Sequence, residues 1–353
     1  MKTTRRALLQ SAAGILALPT IITSAKAQEK QLHVGVYNSA LGKLVQKEVI
    51  PAFEQKHKCR VFTIEGATLS NIAALRATRN APKFSVMMMD DVGVPQAKEE
   101  DLIDKLDPAK IPNLEKVYKR FIFEGGYGVG FNISAAGMFY NPQTVKGLTS
   151  YEQLFEPKFR KRILLNTPRN TQSVLMLIVA TALATGKPLK EAQYLIDQGW
   201  DKLAQLKPNI LTIYDSEAMV LMVPQGQADV GGIDYAKSVY PHAAKGVPID
   251  MAPLKEGFFT GINSMTLAKN APEPELGCAF INTMLEPSVL QMLSSQTFGA
   301  PSVEGITFAP DVARYLAYPA TKMDDMGLIT PDWNFIIPRR PAILERYNTL
   351  FNS

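Results

Sequence analysis

FEGGYGVGFNISAAGMFYN, residues 123–141, sets five glycines (Gly125, Gly126, Gly128, Gly130 and Gly137) in an aromatic, β-prone run. Glycine inside a strand weakens it, and usually marks a bulge or a close approach of another backbone or a ligand. A single loop accounts for GGYG, but the chain turns strand-like again on both sides of it. The stretch is either a bulged strand within one domain or a segment that joins two, and its surroundings decide between them.

Far upstream, residues 1–27 read as an export signal. Lys2, Arg5 and Arg6 form a positive n-region, ALLQSAAGILALPTIIT an apolar h-region, and Ala25-Lys26-Ala27 a cleavage site. TRRALLQ at 4–10 resembles a twin-arginine signal, although Leu8 and Gln10 replace the usual Phe and Lys. An ordinary secretory signal that happens to hold two arginines is the alternative. Cleavage after Ala27 leaves 326 residues with 34 basic and 33 acidic side chains, a formal charge of +1 against +5 for the whole chain. No basic run longer than FRKR at 159–162 remains, so nucleic acid is a poor partner. No later apolar stretch reaches the roughly 18 residues of a membrane helix, and VLMLIVATALATG at 174–186 reads as a buried helix. A soluble periplasmic monomer is expected. Cys59 and Cys278 could pair in an oxidising compartment, but both sit in core-like segments, and buried free thiols are favoured.

Along the chain, strand and helix signals alternate. LHVGVYN (32–38), CRVFTIEG (59–66) and FSVMMMDD (84–91) read as strands. Helical stretches follow at 41–56, at 70–79 with Ser70 as N-cap, and at VPQAKEEDLI. A second α/β unit comprises strands RILLNT (162–167), ILTIYDS (210–216) and ADVGGIDYA (228–236), with helices over 174–186 and 188–206 and around EAMVLMV. FFTGINSMTLAKN (258–270) reads as extended, with a helix over 272–285. Apolar strands separated by helices indicate parallel sheets covered on both faces. Ligands of such sheets bind beyond the carboxyl ends of the strands.

The order of these features resembles the type II periplasmic solute-binding proteins of ABC importers, especially the spermidine/putrescine- and iron-binding branches. GGYGVGFNISAAGMFYN is similar to the family's first crossover, with Tyr140-Asn141 as its Tyr-Asn pair. TSYEQLFEPKFRKRILL (149–165), VPQGQADVGGID (223–234) and KNAPEPELGCAFINTMLEPSVLQ (269–291) resemble later family segments. The resemblance spans about Leu32 to Pro301 and implies an α/β fold of two lobes. Each lobe would be a mixed, mostly parallel sheet flanked by helices, the two joined by crossover strands with a ligand cleft between. The implied lobes are 30–132 with 262–305, and 133–261 with 306–353. The glycines would then lie in a hinge, where the backbone absorbs closure and lobes and ligand come close.

Such a cleft needs converging polar groups. Candidates at strand ends of lobe one are Tyr37, Asn38, Ser39, Glu65, Thr68, Asp90 and Asp91, with Glu124 and Tyr127 near the hinge. In lobe two they are Thr167, Arg169, Asn170, Thr171, Tyr214, Asp215, Asp234 and Tyr235. Arg169, at a strand-to-helix turn, could grip a carboxylate or phosphate together with free helix N–H groups. The acids with aromatic faces would suit an ammonium ligand instead. Tyr235 and Tyr240 are five positions apart, whereas the ferric branch has its tyrosine ligands adjacent, and the three histidines are isolated; no metal or cofactor is expected.

The expected function is a receptor that captures a small polar solute and hands it to an ABC permease in the inner membrane. A polyamine or related amine is the first expectation; a carboxylate, phosphonate or ferric ion is the alternative. A secreted α/β enzyme is the remaining rival. The sequence offers it no G-x-S-x-G, H-E-x-x-H, G-x-x-x-x-G-K-[ST] or G-x-G-x-x-G motif. A periplasmic sensor partner would use the same cleft as a transport receptor.

Overall fold

The computed structural model describes residues 29–214 and 217–352, so the export signal and Asp215 lie outside the described residues. The apolar runs form strands where the pattern places them. β1 (Lys30–Tyr37), β2 (Cys59–Gly66) and β3 (Val86–Asp90) are parallel, with β1 in the middle. Helix α1 (Thr68–Ala77) follows β2, and α2 (Gly93–Glu99) follows β3. The glycine-rich stretch becomes β4 (Val129–Tyr140). A second parallel set follows: β5 (Ile163–Asn166), then helix α3 (Gln172–Thr185), β6 (Ile210–Tyr214) and β7 (Val230–Tyr235), with β5 in the middle. Helix α4 (Ala236–Ala243) leads to β8 (Phe258–Ala268), then α5 (Pro274–Met284), α6 (Pro287–Thr297) and, near the C-terminus, α7 (Arg340–Asn352).

β4 and β8 pair antiparallel and join the two sets, in the order β2-β1-β3-β8-β4-β7-β5-β6. Their register explains where the strand ends go. Asp90, the last residue of β3, pairs with Asn263, and Tyr235, the last of β7, pairs with Ala136. Both carboxyl ends therefore arrive, from opposite directions, near the middle of the crossover pair.

Successive residues of a strand face opposite sides of a sheet. Val86 and Met88 enter a core that continues to Leu164 and Val239, whereas Met87 and Met89 pack on Ile72 and Leu75 of α1. Ile163 and Leu165 face a further core built on α3, which also takes Trp333 and Ile336 from the C-terminal segment. One face is thus filled continuously along the sheet, and the other carries two separate cores.

The five glycines serve two purposes. Gly125 and Gly126 turn the chain into β4 at φ of +72° and +77°, a region that side chains disfavour. At Gly130 and Gly137 a Cβ would lie 2.5 Å from Ile262 Cγ2 and 2.8 Å from Phe258 Cδ1. The close approach there is by β8.

Local readings also shift. α1 starts at Thr68, without a side-chain cap, and not after Ser70. The stretch 188–206 is broken, with 3-10 turns over Gln193–Gly199. Glu217–Met222 forms 3-10 turns in place of an α-helix. Cys59 and Cys278 are buried and unpaired, and burial pushes both thiols up, away from the reactive thiolate. Overpacking predicts that Gly130→Ala destabilises the protein by about 1–3 kcal/mol. In an Ile262→Ala background, urea unfolding should show most of that loss gone, because the colliding Cγ2 has been removed.

Candidate ligand cleft

A cavity of about 480 Å³ lies where the two sets of strand ends meet. Thr68, Asp90 and Gln96 line it from one side. Asn166, Arg169, Asn170, Thr171, Tyr214, Asp234, Tyr235 and Lys237 line it from the other, and Arg340 reaches in from the start of α7. The placement follows from topology: β3, β5, β6 and β7 end at the cavity, and the turn after β2 brings the start of α1 to it. Helices α1, α2, α3 and α4 all present their N-terminal residues to it, and helix N-termini favour negative charge.

Its two acids are already engaged. Asp90 Oδ2 accepts from Thr68 Oγ1 at 2.9 Å, and Oδ1 accepts from Asn263 Nδ2 at 2.8 Å. Asp234 Oδ2 accepts from Tyr214 Oη, and Oδ1 from the Tyr235 amide, both at 2.7 Å. Burial first, and then Asp234 for Tyr214 and Asp91 for Tyr235, push the two phenols well above the ordinary tyrosine value. Both stay neutral hydroxyls. The Tyr235 ring lies on Gly261, where a Cβ would come within 2.2 Å of it, and its hydroxyl is 3.4 Å from Thr171 Oγ1.

Among the described residues, the three cations form no ion pair with an acid. Lys237 Nζ donates to the neutral Asn263 Oδ1 at 3.2 Å and sits 5.2 Å from the Tyr235 ring centroid. Arg340 donates through Nη2 to the Arg169 carbonyl, its Nε has no partner, and burial lowers its pKa. Arg169 is exposed, and among the described residues its guanidinium makes no hydrogen bond or ion pair. Beside it, the amides of Thr171 and Gln172 find no acceptor among the described residues. A bidentate donor next to free N–H groups at a helix start is an anion-binding arrangement.

The structure thus gathers Thr68, Asp90, Arg169, Asn170, Thr171, Tyr214, Asp234 and Tyr235 around one cavity. It does not bring the other candidates there. Tyr37 is buried, its hydroxyl accepting from the Ser264 amide, while Asn38 and Ser39 are exposed and Glu65 accepts from Gln46. Of the two outer strands of this set, only the turn after β2, at Ala67–Thr68, reaches the cavity. Asp91, Glu124 and Tyr127 line a neighbouring cavity instead. Thr167 is buried beside the cleft, and Asp215 is outside the described residues. Tyr240 packs on Tyr315 at 4.8 Å, away from Tyr235. Sequence reasoning missed Gln96, Asn166, Lys237 and Arg340. The start of α4 after a strand end was a usable signal for Lys237. Nothing local announces Arg340, which lies 171 positions from the Arg169 carbonyl it contacts.

Comparison with known proteins agrees with this architecture. Residues 48–320 match the family model described as bacterial extracellular solute-binding protein. The chain is 23% identical over 265 residues to the spermidine/putrescine-binding periplasmic protein of Salmonella typhimurium, covering 72% of this chain and 73% of that one. An ABC transporter structure from Clostridium perfringens superposes with a TM-score of 0.77 at 19% identity, over 91% of this chain and 99% of the other. The periplasmic binding protein AfuA of Actinobacillus pleuropneumoniae, with exogenous fructose-6-phosphate bound, superposes at 0.69 and 17% identity, over 92% and 99%. The fold is that of the type II periplasmic binding proteins.

Asp91 gives the site's margin a pH signature. Burial above all, with Asp90 adding to it, raises its pKa to about 7. The unfolded chain ionises first, so folding stability falls as pH rises from about 4 to about 7. The full shift corresponds to roughly 4 kcal/mol. Asp91→Asn should remove this contribution, so denaturant unfolding should show it gaining on the wild type between pH 4 and pH 8, where the gain is largest.

Proposed function

The chain belongs to the bacterial extracellular solute-binding proteins of ABC transporters, and we propose that it is a periplasmic receptor for a small anionic solute, a carboxylate or a phosphorylated compound. The observation that carries this reading is the charge imbalance in the cleft. Both acids hold hydrogen bonds from protein groups, whereas Arg169, Lys237 and Arg340 have no acid partner among the described residues. A bound anion would replace water around these cations in a partly enclosed site, where charge-assisted hydrogen bonds are strongest.

In this reading the two halves of the sheet are separate lobes, 30–132 with 262–305 and 133–261 with 306–353, and the ligand holds them together. Its differential affinity for the closed arrangement would set how far closure goes. The closed form is what an inner-membrane permease would recognise. Export by the twin-arginine or ordinary secretory route would deliver the receptor there. Family and fold are those of binding receptors, which release their ligand unchanged.

An amine ligand is the second reading, favoured by the spermidine/putrescine-binding relative and by the Tyr235 face beside Asp90 and Asp234. Thermal unfolding with hexose phosphates, dicarboxylates, putrescine and spermidine separates the two. A ligand at about 100 times its Kd should add about 2.7 kcal/mol. The expected result is a shift with an anion that weakens with salt. Arg169→Ala should reduce that affinity about tenfold or more, as befits a lost hydrogen bond between charged groups. A shift with spermidine alone, kept in Arg169→Ala, would reverse the assignment.

A further inference from the structure

Asp90 and Asp91 are consecutive, yet only Asp90 lines the cleft; Asp91 lies against Trp333 of the C-terminal segment. Asp91 Oδ1 accepts from the Val92 amide at 3.0 Å, which leaves Oδ2 without a partner. Trp333 Nε1 faces the same carboxyl and has no partner either. Both residues are almost sealed from water, at 3% and 4% exposure. They belong to different halves of the molecule. Asp91 extends β3 of the first parallel set, whereas Trp333 packs with Ile336 into the core on α3 of the second. Val92 packs on that second core too. A donor and an acceptor buried against each other in this way stay dry only while the two halves are together. Among the described residues no cation pairs with the carboxyl. Lys98, on the wall of the adjoining cavity, is 3.5 Å from Glu124 and lies over the Tyr127 ring. Lys237 acts from the cleft side, where Asp90 opposes it. Tyr37 and Tyr235 are buried, neutral phenols, and Asp332 accepts from Tyr194 Oη and the Phe335 amide. A carboxyl sealed without a counter-charge is tolerated as the neutral acid.

We propose that the Asp91–Trp333 contact is a proton-dependent latch between the two lobes: closure takes up a proton at Asp91, and loss of that proton opens it. The latch rests on the two-lobe reading above, and not on the charge of the solute. In the closed form the neutral carboxyl keeps an oxygen for the indole N–H and needs no water. Once ionised, the carboxylate gains most from hydration, which reaches it when the segment 330–334 moves away. The sign follows from linkage. The closed form holds the Asp91 pKa at about 7, above the ordinary carboxylate value of the open form, so closure is favoured at low pH. That advantage is lost as pH rises from about 4 to about 7, and little changes beyond. Between pH 5 and pH 8 the closing equilibrium should fall about 80-fold. Because the cleft walls part with the lobes, the same proton governs how firmly the cleft holds its solute.

The test needs no ligand, so its outcome is separate from what the cleft binds. The chain has two tryptophans, and Trp200 lies in the α3 core, so Trp200→Phe leaves Trp333 as the only indole reporter. Emission and acrylamide quenching of this variant are read at pH 5 and pH 8, with circular dichroism as the check on global folding. Small-angle scattering of the unsubstituted exported chain gives the radius of gyration at both pH values. The expected result is a shielded, blue-emitting Trp333 at pH 5. At pH 8 its emission should move to the red and its quenching should rise several-fold, with unchanged dichroism and a larger radius of gyration. Adding Asp91→Asn should keep Trp333 shielded at both. Equal emission at the two pH values, or a pH-dependent shift that survives Asp91→Asn, would overturn the latch. A red shift without any change in the radius of gyration would place the opening inside one lobe, and overturns the proposal through the two-lobe reading instead.

Discussion

Everything in this fold hangs on the antiparallel pairing of two long strands, β4 and β8. Each is buried along almost its whole length; β8 pairs with β3 of the first set, β4 with β7 of the second, and the two pair with each other. Offset pairing along this axis lets two sets of opposite direction bring their carboxyl ends to a common point. The packing of Ile262 on Gly130 and Phe258 on Gly137 lets the two strands lie close with large side chains between their backbones. A side chain at either glycine would force the pair apart and carry the ligand-facing ends with it.

The same axis sets the electrostatics. Asn263 of β8 stands between Asp90, to which it donates, and Lys237, from which it accepts. The amide thus separates an acid from a cation that would otherwise neutralise each other across the cleft. Its neutrality keeps the Lys237 charge available. On the far wall, Tyr214 and the Tyr235 amide hold Asp234 in the same way, leaving Arg169 unmatched. Four helix starts add positive potential, but any fold of this topology has those, whatever it binds. The selective information lies in which side chains are left without a partner.

The sequence disclosed the fold well because the fold is written in periodicity. Apolar runs such as VMMMD and RILL, set between helical stretches, specify strands covered on both faces, and the glycine-rich crossover could be placed by its neighbours. The site was only half legible. Arg169, Asn170, Thr171, Asp234 and Tyr235 follow directly from the ends of β5 and β7. Tyr37 to Ser39 and Glu65 were expected by the same rule and miss the cleft, because the rule names strand ends without saying which of them the sheet brings to one place. Sheet order is a long-range property, and no local pattern around β1 reports it. Arg340 shows the opposite failure: it reaches the cleft because the C-terminal segment packs Trp333 and Ile336 into the α3 core.

The pair Asp90-Asp91 shows how far two like residues can part. One peptide bond separates them, yet the alternation of a strand sends their carboxylates to opposite sides. Asp90 meets two donors at the cleft wall. Asp91 enters an aromatic chamber with one oxygen on the Val92 amide and the other open, and burial there raises its pKa to about 7. Composition alone would count both as acids lining one pocket, which is how an amine comes to be expected for the main cleft. The geometry divides that expectation: Asp90 lines the cavity that holds the three cations, and Asp91 lines the other.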